Sequence, residues 1–62
     1  MNHLDFTLNI VPNGKKFMGN IYYNHKIIHF MAKSSIITTI KNAKNWAKNN
    51  NGYIRIVSIY LP

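Results

Sequence analysis

From Leu4 to Val11 apolar and polar residues alternate: Leu4, Phe6, Leu8 and Ile10 against Asp5, Thr7 and Asn9. A period of two is that of a strand with one buried face. Pro12, Asn13 and Gly14 follow; they pre-set φ and tolerate positive φ, and predict a tight hairpin turn. On the return, Phe17, Gly19, Ile21 and Tyr23 share one face, and Lys16, Met18, Asn20 and Tyr22 the other. A second tight turn is expected at Asn24-His25. In the third strand Ile28 and Phe30 share a face, and Ile27, His29 and Met31 take the opposite one. The three strands form a meander.

The period then changes. Ser34 or Ser35 is suited to an N-cap. Ile36, Ile40, Ala43 and Ala47 recur at spacings of four, three and four, which stacks them into one stripe on a helix. Asn51-Gly52 ends it, with Gly52 as the left-handed residue. A helix from Ser35 to Asn50 is expected, with Ile37 and Trp46 flanking its apolar stripe.

From Gly52 the chain closes with a fourth strand. Ile54 and Ile56 alternate with Arg55, but Val57, Ile59 and Leu61 then put apolar side chains on the second face as well. Such a strand is central, covered on both sides, or part of an interface. The predicted fold is a single α+β domain over residues 1–62, ordered β-β-β-α-β: a four-stranded, mainly antiparallel sheet with one helix packed on one face. The fourth strand should run parallel to the first and beside it, giving the order 3-2-1-4.

One helix covers one face only. The open face should carry Thr7, Asn9, Lys16, Met18, Asn20, Tyr22, Ile27, His29 and Met31. Met18, Tyr22, Ile27 and Met31 make an apolar set there, and an exposed apolar patch marks an interface. A domain of 62 residues has a marginal core of its own, so a homodimer through this face is expected. Trp46 should cap the core edge against Tyr53 or Tyr60, or anchor an interface.

Charge changes the picture more than length does. Seven Lys and one Arg oppose one acid, Asp5, for a net charge of +7 and no Glu. Such a chain attracts polyanions over long range. Ten Asn, ten Ile and seven Lys also follow AT-rich codons, a bias of small viral and mobile-element genes, so placement must count for more than abundance. Lys41, Lys44 and Lys48 form one ridge on the helix, and Asn42, Asn45 and Asn49 a second stripe beside it. Lysine neutralises phosphates, and Asn can pair with adenine in a major groove. On the sheet, Tyr22, His29 and Tyr53 are candidates to stack on unpaired bases, with Lys16, Lys26 and Arg55 along the backbone. Three strands followed by a helix resemble, in topology, the arm-binding domains of tyrosine integrases. The fourth strand departs from that pattern, and no residue role is transferred.

Much chemistry lacks its residues. One carboxylate excludes the paired carboxylates of ordinary glycosidases and of two-metal phosphoryl transfer. There is no Cys nucleophile or thiolate ligand and no phosphate-binding glycine loop. His3, His25, His29 and Asp5 have no spacing that requires a metal site. The residue types of a metal-independent ribonuclease are present in His29, Tyr22, Arg55 and Lys16, without a diagnostic spacing. The expectation is a non-enzymatic protein without metal or cofactor that binds nucleic acid. The alternative is a protein-interaction module or inhibitor docking on an acidic surface of a host protein, as a phage anti-host or anti-defence protein would. The N-terminus "MNHLDFTLNI" has no signal-peptide pattern and no apolar run is long enough to span a bilayer. A whole small gene product acting in the cytoplasm, off the membrane and without a small-molecule substrate, is expected.

Overall fold

The computed structural model describes residues 3–61. The chain runs β1 (Leu4–Asn13), β2 (Lys16–Tyr23), β3 (Lys26–Lys33), α1 (Ile36–Asn49) and β4 (Gly52–Ile59). The sheet order is β3-β2-β1-β4. β2 is antiparallel to β1 and β3, and β4 is parallel to β1. The topology follows from parity. Two tight turns reverse the chain twice, and α1 carries it back across the sheet so that β4 runs with β1.

The alternating residues of β1 supply the core. Phe6, Leu8 and Ile10 are buried together with Ile21 of β2 and Ala43 and Ala47 of α1. Small side chains on the helix let it lie close to the sheet. The approach is tightest at Gly19, where a Cβ would stand 2.5 Å from the Thr39 methyl and 3.3 Å from Met31. Thr39 is itself fully buried, and its hydroxyl donates to the Ser35 carbonyl oxygen at 2.8 Å. The buried hydroxyl is therefore satisfied within its own helix.

Helix α1 starts at the second of the two serines. Ser35 is extended (φ −142°, ψ 157°), and its Oγ accepts from the Thr38 backbone N–H at 3.1 Å. The same hydroxyl donates to Thr38 Oγ1 at 2.8 Å. At the other end Asn50 is the C-cap, and its N–H reaches the Ala47 oxygen at 3.0 Å. The left-handed residue is Asn51, at φ 60°, and not Gly52. Asparagine enters that region at little cost. Gly52 is needed for a different reason: a Cβ there would lie 2.6 Å from the Leu4 carbonyl oxygen and inside contact distance of the Phe6 ring.

The first turn also differs from expectation. β1 continues through Pro12 to Asn13, which pairs with Lys16, so the two turn residues are Gly14 and Lys15, with Gly14 at φ 65°. Pro12 is tolerated because β4 pairing stops at Ile10, where β1 is flanked by β2 alone. The second turn is the one expected. Asn24 and His25 both have positive φ, 52° and 65°, as a two-residue hairpin with matched twist requires.

Two bulges rearrange the faces. In β3, Ile27 pairs with Tyr22 and His29 with Ile21, leaving Ile28 as an extra residue. A one-residue shift sends every later side chain to the other face. His29 and Met31, expected on the open face, therefore lie on the helix side, opposite Ile21 and Gly19. Phe30 takes the open face opposite Asn20, where it is 66% exposed. In β4, Ile54 pairs with Phe6 and Ile56 with Thr7, leaving Arg55 as the extra residue. This explains the failed alternation: Ile56 and Ser58 face outward while Val57 and Ile59 face the helix layer. The strand is not central but the free edge of the sheet.

Candidate nucleic-acid interface

The face of the sheet away from α1 is organised in rows that cross the strands. Ile27, Tyr22, Thr7 and Ile56 form one row, and Ala32, Met18 and Val11 another. Alternation beyond Ser58 adds Tyr60 beside Val11; its N–H donates to the Ile10 oxygen at 2.9 Å. Between these rows lies a polar one, Asn20, Asn9 and Ser58, with Phe30 at its outer end. Asp5 and Tyr53 are paired at the end near the second turn. The result is a platform of exposed or half-buried aromatic rings, Tyr22, Phe30, Tyr53 and Tyr60, around a central set of amides.

Of the sequence candidates, Met18, Tyr22, Ile27 and Lys16 stand on this face. Lys16 opens β2 and Lys26 opens β3 at opposite ends of the same hairpin, roughly 24 Å apart at about 3.4 Å per residue. Arg55 is exposed in its bulge, close enough to Tyr53 for its charge to be felt there. The stronger influence on Tyr53 is Asp5. A side-chain hydrogen bond to that carboxylate, and its negative charge, raise the Tyr53 phenol above its usual value.

Asp5 also helps to line a shallow cavity of about 370 Å³ on this platform, together with Thr7, Asn9, Tyr22 and the turn residues Asn24 and His25. The only acid of the chain thus sits in a polar recess beside an aromatic ring.

The remaining candidates lie on the helix layer. His29 stacks on Trp46 (centroids 4.7 Å apart, planes at 11°), and Phe6 meets Trp46 edge-on at 5.2 Å. Trp46 therefore caps the core edge against Phe6 and His29, and not against Tyr53 or Tyr60. The side chains of His29, Met31, Asn42, Asn45, Trp46 and Asn49 border a groove of about 250 Å³ between α1 and β3. With the Asn stripe on the β3 side, Lys41, Lys44 and Lys48 occupy the opposite flank, and all three are exposed. Asn42 donates to the Thr38 carbonyl oxygen at 2.8 Å, which engages one of the amides a groove-reading helix would use.

The sheet keeps apart the two candidate surfaces, the helix ridge and the open sheet face. The Lys41, Lys44, Lys48 ridge does not share a surface with Tyr22 and Lys16. The residue types of a ribonuclease are likewise divided, with His29 on the helix side and Tyr22 and Lys16 on the open side. Among the described residues no three His, Cys, Asp or Glu side chains gather as metal ligands, and no helix is long and apolar enough to cross a membrane. Sequence reasoning missed Phe30, Ile56 and Tyr60 on the platform. Each lies beyond a bulge, and no residue pattern in an Ile-rich run marks the extra position.

Fold and surface together define a small basic α+β domain with one helix layer and a free aromatic-amide sheet face. No protein-family model, curated protein or solved structure matches the chain.

Proposed function

We propose that this is a non-catalytic protein that binds single-stranded nucleic acid on the open face of its sheet. The observation that carries this reading is the grouping of Tyr22, Phe30, Tyr53 and Tyr60 around Asn9 and Asn20 on a chain of net charge +7. Aromatic rings stack on unpaired bases and amides bond their edges. Lys16 and Arg55 border the platform and neutralise phosphates, whereas Lys26, expected beside them, stands opposite Tyr23 on the helix side of the sheet. The Lys41, Lys44, Lys48 ridge, on the other layer, adds long-range attraction rather than contact.

The test is fluorescence anisotropy with labelled single-stranded RNA and DNA of about ten nucleotides across a salt series. Affinity should fall linearly in log salt, with a slope near 0.7 per phosphate contacted. Tyr22→Ala and Phe30→Ala should each weaken binding by about 1–3 kcal/mol. Replacing Lys41, Lys44 and Lys48 by Gln should lower the affinity less than either. Absence of binding to either single strand at about 50 mM salt overturns the reading, and equal or tighter binding of duplexes moves the contact away from the platform.

A second observation supports self-association at the β4 edge, one of the alternatives its two-sided apolar pattern leaves open, rather than through the open face. The polar row of Asn9, Asn20 and Ser58 makes the open face a poor dimer surface, and Met31 is not on it. The β4 edge is better suited. Ile56, Val57 and Ile59 are 49%, 39% and 43% exposed on an unpaired edge, and the segment from Ile56 to Ile59 carries no charge. The opposite edge has Lys26 and Lys33 at its ends, a device that discourages pairing. Antiparallel pairing of two β4 edges would join two sheets and set their platforms side by side. Sedimentation velocity at tens of micromolar should give twice the 7.2 kDa chain mass, and Val57→Lys should return the monomer. A monomeric wild-type protein overturns this part.

A further inference from the structure

Resting on the reading of the open face as a single-strand platform, we propose that the cavity at Asp5 is a pocket for one guanine base. A carboxylate is the wrong group to place where phosphates run, because it repels them. It is the right group for a base edge made of donors. The Asp5 side chain is acceptor-only when ionised, with two oxygens and about four lone-pair sites. Guanine presents N1–H and the N2 amino group side by side on its Watson–Crick edge, so both donors can meet one carboxylate. Cytosine sets an acceptor beside its amino group, and adenine does the same. Uracil and thymine flank one N–H with two carbonyls. Each of the three alternatives would therefore point at least one lone pair at Asp5.

The surroundings fit that occupant. Tyr22 lines the same cavity and supplies the ring face. Thr7 and Asn9 continue the polar wall and can reach the base or its sugar. Tyr53 is paired with Asp5 across β1 and β4, close enough for the carboxylate to raise its phenol. A phenol donating there takes one acceptor site and steadies the carboxylate, leaving the others free for the base. The pocket would thus make one position of the bound strand selective while the rest of the platform accepts any base.

The experiment uses labelled oligo-U and oligo-dT octamers that carry a single central G, A, C or inosine. The G strands should bind about 5- to 150-fold more tightly than the A or C strands, the range of a bidentate pair. Inosine, which lacks the N2 amino group, should fall between. Asp5→Asn should abolish the preference while leaving salt-dependent binding to plain oligo-U intact or stronger. Tyr53→Phe, which keeps the carboxylate but removes its orienting donor, should reduce the preference several-fold. Equal affinity for all central bases overturns the pocket and leaves the platform standing, as does a G preference that survives Asp5→Asn. Loss of binding to every strand overturns the platform itself.

Discussion

The imidazole of His29 lies flat against the indole of Trp46, 4.7 Å between ring centroids. With Phe6 edge-on to the same indole, the three rings tie β3, α1 and β1 together at one end of the core. Trp46→Ala should cost about 3 kcal/mol, at the low end for an aromatic truncation because Trp46 is only half-buried. His29→Ala should cost about 1 kcal/mol, the worth of an aromatic pair beyond its area. Urea unfolding midpoints measure both. Neither change touches the open face, so His29→Ala should leave oligonucleotide affinity unaltered. A tenfold loss in a folded variant would put the contact on the helix side.

Gly19 and Thr39 form the closest approach of helix to sheet. Gly19→Ala should destabilise the fold by about 1–3 kcal/mol, as overpacking does. Thr39→Ser removes the methyl that a new Cβ would meet and keeps the hydroxyl that donates to Ser35. On the Gly19→Ala background it should therefore recover part of the loss. The two changes should be non-additive in a double-mutant cycle by more than about 0.5 kcal/mol. Additive effects would mean that the strain is relieved elsewhere.

Ser35 satisfies the Thr38 N–H at the start of α1, where there is no acidic residue in the first turn to share the work. Ser35→Ala should cost about 1 kcal/mol, and Ser35→Asp should restore that or improve on it through the helix dipole. Thermal melts followed by circular dichroism decide between a cap and a passive residue.

The Asp5–Tyr53 pair predicts a signature at high pH. The folded-state pKa of Tyr53 is raised above the usual 10.0. The group therefore adds stability that is present below the unfolded value and is lost as pH rises through the folded one. Absorbance titration of the tyrosines should show one phenol ionising later than an ordinary tyrosine, and Asp5→Asn should return it to the common range. A titration unchanged by Asp5→Asn would separate the two side chains.

The regular parts of this fold were legible in the sequence because each rests on a local rule. Alternation from Leu4 to Ile10 marks the core face of β1. The spacing of Ile36, Ile40, Ala43 and Ala47 marks α1, which spans Ile36–Asn49 behind the Ser35 cap. Parity sets β4 parallel to β1, and the cheapest closure places it alongside. The bulges were not legible. Around Ile28 both faces carry apolar residues, Ile27 and Met31 in one phase and Ile28 and Phe30 in the other, so either register buries something hydrophobic and the pattern is silent on the choice. What decides it is tertiary: Met31 packs over Gly19, and His29 reaches Trp46. The site suffered accordingly. Plain alternation places His29 and Met31 on a platform that they do not occupy and leaves Phe30 and Tyr60 off it. Asp5 stood out only as a lone charge, since its partner Tyr53 lies far along the chain.

The bulge at Ile28 has a consequence for how this chain can change over generations. Beyond it, β3 is read in a shifted phase, much as a message is read after an inserted letter. Exchanging one residue for another in this strand alters a single contact on a single side. Losing Ile28 would close the bulge and leave both faces as they are, with His29 still opposite Ile21 and Phe30 opposite Asn20. Drawing Ile28 into the ladder without such a loss would instead turn over the remainder of the strand: Phe30 would point inward, and His29 and Met31 would swing out among the amides. The spare residue therefore gives β3 slack for one deletion, while its two surfaces keep their separate spellings only as long as Ile28 stays out of the pairing.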